Sequence, residues 1–276
     1  MLRSALLTAT LLTAALTLTA CGKATTTPAD PGMSSMTMSG DPMPAGNGTQ
    51  PTWAGYTLVP TSTSTSFTFH ITGPDGKAVT TFEPDQTKLM HLYLIRTDLS
   101  GYQHLHPTMA ADGTWTANPA TPAPGSYRAY TTFTTPDAMG KPIAFVLSAP
   151  FTVPGPVTPI PLPPVASATT ADGYTLTLSG QPMAKMAHQL TLHVSRNGQP
   201  VTDLQPYLDS YAHLSAFHAG DLAFAHLHPA GAVNGDHGGP DLTFEAEFSA
   251  SGTWRVYVQF QTENTLHTAA LTVTAT

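Results

Sequence analysis

The chain repeats itself. His213 follows His91 by 122 residues, and at that offset Gly198 follows Gly76, Val201 follows Val79 and Pro206 follows Pro84. The string HLHP recurs in the same register, at 104–107 and 226–229. Beyond it the second copy gains five residues, within "AGAVNGDHGGPD", and the match then resumes. "GSYRAYTTF" (125–133) aligns with "GTWRVYVQF" (252–260), and "APFTV" (149–153) with "AALTV" (269–273). A repeated module of about 110 residues is a duplicated domain, far longer than the 20–50 residues of a solenoid repeat. Both copies must therefore reach the same fold.

Each copy reads as short strands. "TSFTFHI", "KLMHLYLI", "QLTLHVS", "LTFEAEF" and "TWRVYVQF" alternate apolar and polar residues and are rich in aromatic and β-branched side chains. "GPDGK", "DLSG", "ADG", "RNGQ" and "SASG" punctuate them as turns. No window carries a helical period. The expected fold class is all-β: two tandem immunoglobulin-like antiparallel β-sandwich domains after a disordered tether. The cysteine pair of a true immunoglobulin domain is absent, so the likeness is architectural. The expected boundaries are a lipoprotein signal peptide at 1–20, a tether at 21–52, modules at 53–153 and 165–276, and a Pro-rich linker, "PGPVTPIPLPP", at 154–164. That linker reads as a semi-rigid spacer.

The leader accounts for the single cysteine. Arg3 precedes an apolar run ending in "LTAC". This resembles a bacterial lipobox, which implies cleavage before Cys21 and a lipid anchor on that residue. The alternative is an ordinary secretory signal with a chance cysteine. The first reading predicts an extracytoplasmic, membrane-tethered protein of the cell envelope, held to the membrane surface by lipidated Cys21. The tether is Thr/Pro/Gly/Ser-rich and carries Met33, Met36, Met38 and Met43, which resemble Met-rich copper-capturing segments.

Charge narrows the function. Charged residues make up 10% of the chain, the net charge is -7 and no basic run occurs, so nucleic acid has no electrostatic footprint here. Histidines number 12 against ten Lys and Arg, a balance that favours metal or proton chemistry over phosphate binding.

The histidines are patterned. "HLSAFHAGDLAFAHLHP" (213–229) reads as a hairpin with a two-residue type II′ turn at Gly220-Asp221. His213 then faces His228, and His226, two residues away, shares their face. In the first copy, His91, His104 and His106 share a face if the loop near Asp98 has an even number of residues, whether two at Asp98-Leu99 or four at Asp98–Gly101. An odd loop would turn His91 to the wrong face. Leu92, Leu94, Leu105, Leu214 and Leu227 fall on the opposite, core side. Three neutral imidazoles can hold Zn²⁺ or Cu²⁺ at about 2.0–2.1 Å, and generic nitrogen sites prefer Cu²⁺. The second copy, with its register set by Gly220-Asp221, is the stronger candidate. The competing structural reading makes HLHP a strand terminus closed by proline.

Other candidates carry less pattern. Met183, Met186 and His188 in "PMAKMAH" form a Cu(I)-type set in which Met186 and His188 would share a strand face. His267 reads as a buried strand-start residue that could reach a site only at a sheet edge. Glu245 and Glu247 could orient ligand imidazoles. His237, in the five-residue insertion, reads as exposed and could act as a mobile ligand, while His70, His193 and His218 have no assigned partner. A blue-copper site needs a thiolate, and none remains after processing. No nucleophile elbow, zincin helix or phosphate loop is present.

"DLQPYLDSYAHL", "GDLAFAHLHP", "GTWRVYVQFQ" and "LHTAALTV", covering 203–273, resemble a family of uncharacterised bacterial envelope proteins frequent in actinobacteria. The resemblance implies a signal-bearing β-sandwich and a heavy-metal-handling role for His213, His226 and His228. The first copy lacks "PYL" and "QFQ" and is divergent.

The expected function is extracytoplasmic copper or zinc binding in buffering, resistance or delivery to an exported metal acceptor or transporter. The rival class is a metal-free envelope adhesion or assembly module. A third is a metal-dependent enzyme with an open coordination position.

Overall fold

A computed structural model describes residues 46–63 and 66–276. The leader, Cys21 and the methionines Met33, Met36, Met38 and Met43 lie outside the described residues. Every regular element among the described residues is a strand.

The first copy contributes β1 (Thr52–Trp53), β2 (Tyr56–Thr63), β3 (Phe67–Thr72), β4 (His91–Arg96), β5 (Gln103–Leu105), β6 (Thr108–Met109), β7 (Trp115–Ala117), β8 (Gly125–Pro136) and β9 (Pro142–Val153). They form two antiparallel sheets, ordered β1-β2-β3-β7-β6 and β5-β4-β8-β9. The second copy contributes β10 (Ala168–Ala171), β11 (Tyr174–Ser179), β12 (His188–Arg196), β13 (Gln199–Pro200), β14 (Ala212–His218), β15 (Phe224–Pro229), β16 (Asp241–Ala246), β17 (Gly252–Thr262) and β18 (Thr265–Ala275). Its order is β10-β11-β12-β16-β15-β14-β17-β18. The pairings match across copies: β14–β15, β14–β17, β17–β18 and β12–β16 repeat β4–β5, β4–β8, β8–β9 and β3–β7.

The period-2 alternation builds the cores. β3 buries every second residue, and Phe67, Phe69 and Ile71 join Trp115, Leu92, Leu94 and Phe133 inside the first module. Leu176, Leu190, Leu192, Leu214, Leu227 and Trp254 fill the second. β4 breaks the alternation, because all six of its residues are buried, and β14 does nearly the same. One face of each strand meets its own core. The other meets the opposite module.

That seam has a core of its own. Tyr93, Ile95, Tyr130 and Val146 pack with Phe217, Phe224 and Tyr257. Tyr102 and Tyr257 stack at 4.1 Å and 8°, a geometry worth about 0.5–1.5 kcal/mol beyond the area buried. The contacts are reciprocal. The Tyr130 hydroxyl donates to the Leu222 carbonyl, and the repeat-equivalent Tyr257 donates to the Leu99 carbonyl at 2.6 Å. The linker, read as a semi-rigid spacer, is held against the modules. Arg96 donates to the Thr158 carbonyl, the Ile160 N–H donates to Asp98, and Leu162 packs against the seam.

The chain before β1, which its composition places in the tether, is packed from Gly46 onward. The Phe224 N–H donates to the Asn47 carbonyl, and Ser148 donates to the Gly48 carbonyl, so this strap touches both modules. Gly48 sits at φ +69, and a β-carbon there would lie 2.8 Å from Val146 Cγ1 and 3.0 Å from Phe224 Cβ. Gly48→Ala combines left-handed strain with overpacking, and should cost about 2–4 kcal/mol. A shift of the urea midpoint equivalent to less than 1 kcal/mol would show that the strap yields.

Candidate metal centre

Both hairpins keep the parity that the histidine pattern requires, by routes other than the simple turns. In the second copy Leu214 faces Leu227 and Ser215 faces His226, the register expected from a turn centred on Gly220-Asp221. The turn itself is not the expected two-residue type II′. His218 N–H bonds the Ala223 carbonyl across four loop residues, and the left-handed position is Leu222, at φ 61. Two and four residues share a parity, so the faces are unchanged. In the first copy Arg96 N–H reaches the Ser100 carbonyl across a three-residue turn, with Leu99 at φ 62. One additional residue then enters the second strand before Leu94 faces Gln103 and Tyr93 faces His104. That bulge restores the parity an odd turn would have lost.

HLHP is also a corner. In the first module β5 ends at Leu105 in one sheet, and β6 begins at Thr108 in the other. In the second, β15 pairs with β14 as far as Leu227 and with β16 from His228. The string is where the chain crosses between layers; β5 stops before its proline, whereas β15 runs through Pro229.

The six histidines form one cluster. Ring centroids run His106–His104 4.8 Å, His104–His213 4.6 Å, His213–His226 4.7 Å and His226–His228 4.8 Å. His91 lies 5.2 Å from both His104 and His106. The seam has therefore joined two triads that the sequence places separately.

The first triad has the closer geometry. One ring nitrogen from each of His91, His104 and His106 lies within 4.8 Å of the others. His91 Nε2 is 3.0 Å from the Asp85 carbonyl, which can only accept, so Nε2 carries the proton and Nδ1 is bare. His104 Nδ1 is 2.8 Å from Gln259 Oε1, so Nε2 is bare. These two lone pairs face each other at 3.0 Å. His106 Nε2 is buried with no hydrogen-bond partner. Orienting bonds from the back nitrogen to a carbonyl or amide oxygen are the usual support of metal-ligating imidazoles. Burial lowers the pKa of His91 and His104 and brings His106 down to about 4, so the rings are neutral at pH 7. Neutral imidazole is the metal-binding form. An ion bound at about 2.0–2.1 Å holds nitrogen ligands roughly 3.3 Å apart. The first pair is already at that spacing, and His106 would need to close by only about 1–1.5 Å.

The second triad, expected to be the stronger, does not converge as a set. His213 is diverted: its Nε2 lies 3.0 Å from the Tyr93 hydroxyl, and its ring is stacked near His104. Burial pushes the Tyr93 phenol up and His213 and His226 down, so the phenol is the donor and both imidazoles stay neutral. The ladder that would hold His213 opposite His228 stops at Leu227, because β15 leaves for β16 there. His226 Nε2 instead meets the Gln86 amide nitrogen at 3.3 Å, and His228 Nε2 is buried without a partner.

The remaining candidates lie apart. His267 bridges Asp172 at 2.9 Å and Thr262 at 3.0 Å, a closed structural arrangement. β12 starts at His188, and Met186 precedes it with its side chain exposed, so strand parity does not pair them; Met183 takes part through its backbone carbonyl. Glu245 lies opposite His228 in the β15–β16 ladder, and Glu247 lines a cleft beside His226. His193 and His218 bond Asp241 and Asp221, each at 2.8 Å.

Sequence reasoning missed Asp85, Gln86, Tyr93 and Gln259. Gln259 had a signal: it aligns with His213 in the β14–β17 ladder and lies in the quoted "QFQ". The turn bearing Asp85 and Gln86 had none, since its placement depends on the other module.

Fold and site together define a class: tandem β-sandwich proteins with a histidine cluster in the seam between two repeats. The chain belongs to the family described as Domain of unknown function (DUF8832), which matches residues 45–150 and 168–276, one copy per module. No curated protein matches it. Among solved structures it is similar to the tetra-tandem repeat in the extending region of a large adhesion protein, at 11% identity and a TM-score of 0.25. That match covers 79% of this chain and 48% of the other, so this chain spans about half its length.

Proposed function

We propose that this protein binds copper, or zinc, through the seam histidines, as a lipid-anchored protein of the bacterial cell envelope. Its role would be metal buffering, resistance or delivery to an exported acceptor. One observation carries the reading: two bare ring nitrogens, His91 Nδ1 and His104 Nε2, face each other at 3.0 Å beside the partnerless, buried His106 Nε2. Two lone pairs at that distance repel unless a cation lies between them. A divalent cation held between them would relieve that repulsion, which supports a metal ion as the occupant. The all-nitrogen donor set suits Cu²⁺ above the other divalent first-row ions and also suits Zn²⁺. The lipobox-like leader at Cys21 supports the location, and the tether methionines would capture Cu(I) upstream of the histidines.

The adhesion alternative draws on HLHP being a corner between sheets. A corner needs the proline and the crossing strand; it gives no reason for the buried, partnerless ring nitrogens of His106 and His228, one in each copy. The test is metal retention. Purified protein is loaded separately with Cu(I), Cu(II) and Zn²⁺, desalted, and its bound metal measured beside a variant with His104, His106, His226 and His228 all changed to Ala. The wild type should retain metal and the variant should lose it. A metal-free wild type, or equal retention by the variant, refutes the proposal.

A further inference from the structure

The two ends of the histidine cluster are not alike. At the first end, the amide from the opposite module, Gln259, accepts from the back nitrogen of His104 and orients it. By the repeat, His226 corresponds to His104, and its Nε2 is the ligand-facing nitrogen. There the opposite module supplies Gln86, and its amide nitrogen meets that Nε2 at 3.3 Å. Gln86 Oε1 is buried with no hydrogen-bond partner, and so is His228 Nε2. A partnerless imidazole nitrogen, a partnerless amide oxygen and a nitrogen held by a displaceable amide donor thus lie on Gln86 and on two histidines whose ring centroids are 4.8 Å apart.

The turn that presents Gln86 is strained. Gln86 and Thr87 lie at φ 45 and 69, a backbone region that L residues other than glycine rarely adopt. Strain alone assigns nothing, because the equivalent Leu208 and Asp209 lie at φ 55 and 57. What differs is the side chain. The fold provides the same bent turn twice, and only the first copy puts an amide on it.

We infer that the cluster holds a second divalent-cation site, made by His226 Nε2, His228 Nε2 and the side-chain oxygen of Gln86. Without an ion, the Gln86 N–H₂ occupies the lone pair of His226. A half-turn of the amide exchanges nitrogen for oxygen, and two acceptors then face a common point that a cation must fill. Two imidazoles and one amide oxygen suit a borderline divalent ion such as Zn²⁺ and disfavour Cu(I). The site spans the seam, so its ion would join the two modules. The inference rests on the proposed metal-binding function and adds a second, chemically distinct site to it.

Zinc stoichiometry tests it. The whole protein is saturated with Zn²⁺, desalted and measured by native mass spectrometry, alongside His106→Ala, His228→Ala and Gln86→Leu. Gln86→Leu installs the residue that the second module carries at the equivalent turn, so the fold already tolerates it there. Two ions per chain are expected for the wild type and one for each variant. A wild type with one ion, lost in His106→Ala and kept in His228→Ala and Gln86→Leu, overturns the second site and leaves the first standing. Two ions kept in both Gln86→Leu and His228→Ala also overturns it. A wild type with no ion overturns both.

Discussion

Zn²⁺ bound at the His91–His104–His106 triad should raise the melting temperature of this protein by roughly 8–16 °C, and His104→Ala should remove that part of the zinc-induced rise. A ligand that binds only the folded state stabilises it by about 4 kcal/mol at a thousandfold excess over its dissociation constant, and 1 kcal/mol moves the melting temperature of a chain this size by about 2–4 °C. The seam makes folded-state selectivity natural. His91 and His104 come from different strands, and their tautomers are set by the Asp85 carbonyl and by Gln259 of the other module. None of that survives unfolding. His104 is the residue to change because it touches the most: His91 at 3.0 Å, Gln259 at 2.8 Å and the ring of His213 at 4.6 Å. Differential scanning calorimetry with and without Zn²⁺, on wild type and variant, makes the comparison. Equal zinc-induced shifts in the two proteins would place the ion elsewhere.

Without metal, the protein should lose stability steeply between pH 7.5 and 5.5. Burial lowers the pKa of His91, His104, His106, His213 and His226 below the ordinary value of 6.5. Above about pH 7.5 these rings are neutral in both states, so they add no pH dependence there. As the pH falls below 6.5 the unfolded chain takes up protons that the folded chain refuses, and stability drops by about 1.4 kcal/mol per pH unit for each such proton. His104, His213 and His226, whose values lie well below 6.5, should alone remove about 4 kcal/mol between pH 7.5 and 5.5. Carboxylates titrate lower and stay out of this window. Urea midpoints at pH 7.5, 6.5 and 5.5 read the effect directly. A flat midpoint across that range would mean that the rings are hydrated, and the closed seam would be wrong with them.

The histidines show how far residue order reaches. A strand's period of two assigned His213 and His226 to one face whatever loop joined them, provided its parity was even. Loop chemistry was less legible. Gly220 looks like the left-handed residue, yet Leu222 takes that conformation, and Asp221 secures the loop by accepting from Ala223 N–H. The first hairpin preserved its parity through a bulge that no residue type announces.

What residue order determined, then, is local: which segments are strands, that the module is duplicated, and which residues share a face. Those follow from backbone geometry and alternation, which act over a few residues. What the histidine face meets was decided by the tertiary structure. β4 and β14 read as ordinary half-buried strands, and only the packing of module on module buries their second face. That packing merges two triads into one cluster, sends Tyr93 to His213, and brings Gln86 to His226 across 140 residues of chain. Such contacts depend on the shapes of two finished surfaces, and no periodicity within either copy encodes them.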